Sequence, residues 1–107
     1  MTHAVAIETL PGPRREDLRL EAVLQALGDP VRLQIVRVLY AEPGEMRPCG
    51  TFGLPVAKST ASHHFRVLRE AGVISQHTAG RERLTELRRD DLDARFPGLL
   101  DSVVGAG

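Results

Sequence analysis

The stretch Ser59–Gly72, "STASHHFRVLREAG", carries groups suited to gripping a polyanion along one flank. On a helix of 3.6 residues per turn, Ala61, His64, Phe65 and Leu68 share one side, following the i, i+3, i+4, i+7 rule. Ser59, Ser62, His63, Arg66 and either Arg69 or Glu70 lie opposite. Short hydroxyl side chains let a helix backbone come close to a surface. The exposed N–H groups of a first turn, with the positive end of the helix dipole, favour a phosphate there. Lys58 and Arg66 can reach purine acceptors or backbone oxygens. A merely solvated face would more naturally be built from alternating Glu and Lys, which are better helix formers. His64 projects inward and is expected to be packed and hydrogen-bonded rather than to read a surface.

A second basic group follows. Arg81 and Arg83 flank a turn after Gly80, with His77 on the facing strand. A cationic tip beside the helix could lie over a neighbouring minor groove or a run of phosphates, although hairpin tips are also commonly charged for solubility. Catalysis is a poor reading. Ser62 and His63 are adjacent on a helix, so neither can easily serve the other as base, and no acidic orienter follows in register.

The formal net charge of zero would by itself argue against a nucleic-acid partner, but it averages two unlike parts. From Lys58 to Arg89 there are seven basic and three acidic residues, a net of +4; the remainder carries seven basic and eleven acidic, a net of −4. Segregated charge shapes a local field. With 107 residues the chain makes one domain with one modest core. One Tyr, three Phe and no Trp leave that core to Leu, Val and Ile and disfavour base stacking on an aromatic platform. No apolar run approaches the roughly 18 residues of a membrane span, and the first residues lack the basic start and apolar stretch of a signal peptide. A single cysteine, Cys49, cannot form an internal disulfide, which fits a reducing cytoplasm.

These groups need elements to hold them. Residues 1–13, ending in "LPGP", read as a flexible arm or a loosely docked segment, and residues 14–104 as the domain. From Arg15 the spacing of Leu18, Ala22, Leu24 and Leu27 predicts a helix, with Glu16 and Asp17 in its first turn and Gly28 as its stop. Asp29 as N-cap and Pro30 at the first helical position start a second helix, expected to be the most buried. Around residues 49–53 only a short helical turn fits, and Pro55 forbids helix at Leu54. A third helix spans about Lys58–Ala71, closed by Gly72 in the left-handed conformation. Val73–Ile74 and "RLTEL" predict a hairpin around "TAGR". Asp90 is expected to cap a last helix that Pro97 kinks or splits. The order predicts a mainly α fold with a β-hairpin wing, a winged helix-turn-helix.

At this point "LGDPVRLQIVRVL" (27–39), "KSTASHHFRVLREAGVI" (58–74) and "AGRERLTEL" (79–87) closely resemble the ArsR/SmtB family of bacterial transcriptional repressors. The resemblance covers most of residues 15–92. It implies a homodimer built by the first and last helices, binding an inverted repeat in double-stranded DNA with the 59–71 helix in the major groove and the hairpin as wing. Carried over by position, Lys58, Ser59, Thr60, Ser62, His63 and Arg66 would contact the major groove and phosphates, and Arg81 and Arg83 would be wing contacts. Two departures stand out. Ala57 occupies the position where family members usually carry a capping Ser, and the preceding helix is replaced by the Pro/Gly-broken "RPCGTFGLP".

Many such repressors release DNA on binding a metal such as zinc or nickel. Here the ligands are sparse: Cys49 stands alone, no His follows His77, and carboxylates alone do not suit a borderline metal. His3, Cys49 and His77 are the residues that could contribute to a nickel or zinc site, His3 across the dimer. A buried, inert Cys49 is the simpler expectation than a redox switch. The alternatives left open are a winged-helix module for protein interaction, or a DNA-binding subunit whose effector is sensed by an accessory partner.

Overall fold

Asp29 caps the second α-helix of the computed structural model, which describes residues 6–105. Its Oδ2 accepts from the backbone N–H of Val31 (2.9 Å) and Arg32 (3.1 Å), with Pro30 at the first helical position. That helix, α2 (Pro30–Tyr40), buries Ile35, Val36 and Leu39. Before it stands α1 (Leu20–Leu27), and after it α3 (Lys58–Ala71), which ends at Gly72 with φ +84°. The hairpin is β3 (Ile74–Ala79) and β4 (Glu82–Leu87), turning through Gly80 at φ +63°.

Two short strands widen the hairpin into an antiparallel sheet. Strand β1 (Ile7–Thr9) pairs with β3 and β2 (Arg47–Pro48) pairs with β4, giving the order β1-β3-β4-β2. Pro97 divides the C-terminal helix into α4 (Arg89–Arg95) and α5 (Leu99–Val103). The core lies where α1, α2, α3 and one sheet face meet, with Val23, Ile35, Val36, Leu68, Val73 and Leu92 fully excluded from solvent. Phe52 and Phe65 pack edge to face with centroids 5.3 Å apart. No helix among the described residues is long and apolar enough to cross a membrane.

The structure departs from the sequence expectations in three places. The helix expected from Arg15 is a single 3-10 turn, Arg15–Asp17, followed by extended backbone at Leu18 and Arg19 before α1 starts. Leu18 leaves the helical path to lie in the core beneath Gly72, a tertiary demand that local spacing does not contain. The later start also turns the buried face of α1 onto Val23, Ala26 and Leu27, leaving Leu24 45% exposed.

The expectation for residues 1–13 meets a strand: Ile7–Thr9 hydrogen-bonds along β3, with Ile7 opposite Ala79 and Thr9 opposite His77. Asp90 is not the cap of α4, which begins at Arg89 with no side-chain cap. Its neighbour Asp91 is the anchoring carboxylate, bonded by Arg15 Nε (2.7 Å) and Arg88 Nε (2.9 Å), while Arg88 also donates to the Pro13 carbonyl. That clamp draws the 13–15 segment onto α4. The short turn expected at 49–53 is present as Cys49–Thr51.

Two predictions follow from the anchors. A Cβ on Gly72 would fall 2.1 Å from Leu18 Cδ2 and 2.9 Å from Pro13 Cγ, at a φ that L-residues rarely adopt. Gly72→Ala should therefore cost about 1–3 kcal/mol, read as a lower urea midpoint with an unchanged slope. The Asp29 carboxyl is held below its ordinary range, chiefly by the Arg32 N–H, and Asp91 likewise, chiefly by Arg15. Folded values below unfolded ones mean that the stability they lend is present above about pH 4 and drains as the pH falls further. Asp29→Ala should lower stability by about 1 kcal/mol at pH 7 and flatten the acid limb of the stability curve.

Candidate nucleic-acid interface

Helix α3 is two-sided. Phe65 and Leu68 are buried against the core, and Ala61, His64, Val67 and Ala71 are half-buried beside them. Lys58, Ser59, Thr60, Ser62, His63 and Arg66 are all exposed. The structure thus gathers the six helical candidate residues on one open flank, and His64 is drawn inward as its spacing predicts.

The start of α3 is bare. Ala57 offers no side-chain cap, and the first intrahelical bond is Ala61 N–H to the Ala57 carbonyl at 2.9 Å. The amides of Lys58, Ser59 and Thr60 precede that bond and point out of the helix end. With the dipole behind them they are donors of the kind that suit an anionic oxygen, beside the exposed Lys58, Ser59 and Thr60 side chains.

Along the flank, Arg66 is only lightly held. Its Nη2 lies 3.3 Å from His63 Nδ1 and its Nε 3.8 Å from Glu70, with both members of the second pair well exposed. Exposed pairs of this kind contribute little and are readily exchanged for a stronger partner such as phosphate. On the hairpin, Arg81 and Arg83 are exposed and outside every ion pair among the described residues. Register places Arg83 opposite Thr78, on the sheet face shared by Gln76 and Thr85, which is the face turned to the helices.

Behind the flank lies a scaffold of polar residues that sequence reasoning missed. Arg32 of α2 donates through Nε to the Ala26 carbonyl (2.7 Å), through Nη2 to Gln25 (3.3 Å) and through Nη1 to His64 Nδ1 (3.2 Å). One guanidinium thus joins the C-terminal carbonyls of α1 to α2 and α3. Deeper in, Gln76 is 1% exposed and Thr85 fully buried. Gln76 Oε1 accepts from Arg69 Nη1 at 2.9 Å, and its Nε2 donates to Thr85 Oγ1 and Cys49 Sγ, each at 3.3 Å. The two-residue alternation that puts Gln76 on the same face as Ile74 was the available clue.

Of the residues considered for metal binding, Cys49 and His77 lie on opposite sides of the sheet. Cys49 Sγ sits 3.1 Å from Thr85 Oγ1 on the helix-facing side of the sheet. His77 lies on the opposite side, with Nε2 2.9 Å from Glu86 Oε1 and Nδ1 3.0 Å from Thr9 Oγ1. Both ring nitrogens therefore have protein partners, and His3 lies outside the described residues. No group of three or more His, Cys, Asp or Glu is placed to hold a metal among the described residues, so the nickel or zinc site considered from the sequence finds no ligand set there.

Known proteins place this geometry. Residues 29–76, from the cap of α2 to the middle of β3, match the model for "Bacterial regulatory protein, arsR family". The chain is 37% identical over 83 residues to the uncharacterized HTH-type transcriptional regulator YceK of Bacillus subtilis, spanning 76% of this chain and 82% of that protein. It is 37% identical over 59 residues to the uncharacterized HTH-type transcriptional regulator MJ1325 of Methanocaldococcus jannaschii, spanning 54% and 65%. In fold it resembles the ArsR family transcriptional regulator RHA00566, with a TM-score of 0.64 at 22% identity over 78% of this chain and 90% of that one. The chain belongs to the arsR family of bacterial helix-turn-helix transcriptional regulators.

Proposed function

We propose that this DNA-binding regulator represses transcription as a cytoplasmic homodimer that reads an inverted repeat with the open flank of α3. The observation that carries the reading is the six-residue exposed face Lys58, Ser59, Thr60, Ser62, His63 and Arg66, backed by an uncapped helix start. In the proposed complex the first-turn amides and Lys58 take a phosphate. Ser62 and His63 approach base edges at close range because neither holds the backbone away. Arg66, one turn on, exchanges its weak intramolecular contacts for a guanine edge or a phosphate. Arg81 and Arg83 meet the neighbouring minor groove or phosphate run from the hairpin tip.

The dimer is supported by α1. Leu20 and Leu24, one helical turn apart, are 44% and 45% exposed, an apolar stripe that a monomer has no reason to present to water. The first and last helices of each subunit form the proposed interface. Two recognition helices then face successive major grooves about one turn of DNA apart.

Arg66→Ala should lower affinity for the operator by about tenfold or more, with the circular-dichroism melt unchanged. Anisotropy titrations at several salt concentrations should show binding weakening steeply with salt in the wild type, with a log–log slope shallower by about one in the variant. Unaltered operator affinity would remove Arg66 from the interface. For the dimer, Leu20→Glu with Leu24→Glu should give a monomer by sedimentation equilibrium at concentrations where the parent is dimeric. A parent that sediments as a monomer throughout would exclude the two-fold arrangement.

A further inference from the structure

Phe65 and Leu68 are the residues of α3 that are buried in the core, and apolar burial is in itself non-directional. Hydrogen bonds are directional, and inside a core they tolerate little displacement. One such tether joins α3 to the hairpin. Arg69, three residues beyond Arg66, donates from Nη1 to Gln76 Oε1 at 2.9 Å. It is the one side-chain hydrogen bond Arg69 makes among the described residues, and the buried Nε of Arg69 has no partner there.

The orientation of the Gln76 amide is not free. Arg69 can only donate, so the carbonyl end of the amide must face it. The NH2 end is thereby turned to Thr85 Oγ1 and Cys49 Sγ, which are themselves 3.1 Å apart. A single buried side chain thus connects the recognition helix, both long strands of the hairpin and the turn at Cys49–Thr51. Neither Gln76 nor Arg69 belongs to the exposed face that meets DNA in the reading above.

We propose that Gln76 is a positioning residue for DNA reading: its amide, held between Arg69 of α3 and the Thr85–Cys49 pair at the hairpin's base, sets the rotation of α3 against the wing. It thereby brings Arg66 on one side and Arg81 and Arg83 on the other into register with a single duplex. The inference rests on the DNA-reading function proposed above. Non-specific binding, which needs only positive charge near phosphate, does not depend on this registration; sequence reading does.

The test uses full-length protein and a duplex selected by the wild type from a random-sequence pool, with sheared genomic DNA as the non-specific probe. Gln76→Leu, which keeps the apolar bulk and removes the tether, should lower the ratio of selected to non-specific affinity by about tenfold. Its affinity for sheared DNA should stay within about twofold of wild type, because the charged groups are untouched. Gln76→Glu, whose carboxylate still accepts from Arg69 while Thr85 and Cys49 turn to donate, should restore most of the ratio. If Gln76→Leu does not fold, Arg69→Met removes the same bond from the helix side and is read by the same ratio. An equal loss on both probes, an unchanged ratio, or a Gln76→Glu variant as poor as Gln76→Leu each overturns the positioning role. A wild type that selects no sequence overturns the DNA reading and this inference with it.

Discussion

The orientation of α3 is the constraint from which the rest of the molecule follows. An amphipathic helix can be buried on one side by any sufficiently apolar neighbour, yet α3, if it reads DNA as proposed, has to present the other side at a defined angle. Two half-buried guanidinium groups tie it to its neighbours. Arg32 ties α3, through His64, to the carbonyl end of α1 and to its own helix α2. Arg69 ties the far end of α3 to the sheet through Gln76. Between them Phe65 and Leu68 provide the burial. Donor-only, planar and always charged, arginine is suited to fixing several acceptors at once without accepting a competing bond from water.

The bounds of α3, the Asp29 cap, the Gly72 stop, the hairpin and the break at Pro97 could all be read from the chain. Each is decided within a turn or two, by a cap, a positive-φ glycine or an imino acid without N–H. The flank of α3 was legible for the same reason: helical period alone sorts Ser62 and Arg66 from Phe65 and Leu68.

What stayed hidden depends on distant partners. Leu18 breaks a promising helix because its side chain is buried against Gly72, more than fifty positions along the chain. Strand β1 is set by pairing with β3 rather than by its own three residues. Asp91 displaces Asp90 as the anchoring acid because Arg15 arrives from the other end of the chain. The polar core around Gln76 is a compound of four elements, none of which is unusual in isolation. Within the helix-turn-helix, the irregular segment between α2 and α3 is held by the pairing of Arg47 with Glu42 at 2.8 Å and by Phe52 against Phe65, which replaces the regularity expected of that half.

The missing cap at Ala57 has a consequence for how folding and binding are shared. A serine there would close the first turn of α3 from within and stabilise the free protein by about 1 kcal/mol, while occupying an amide that an anion could use. Without it the leading amides of α3 keep no side-chain acceptor and stay available to an anion. In the proposed complex the nucleic acid becomes the surrogate cap: the first turn of α3 is already wound in the free chain, and the polyanion supplies the acceptors that its leading amides lack.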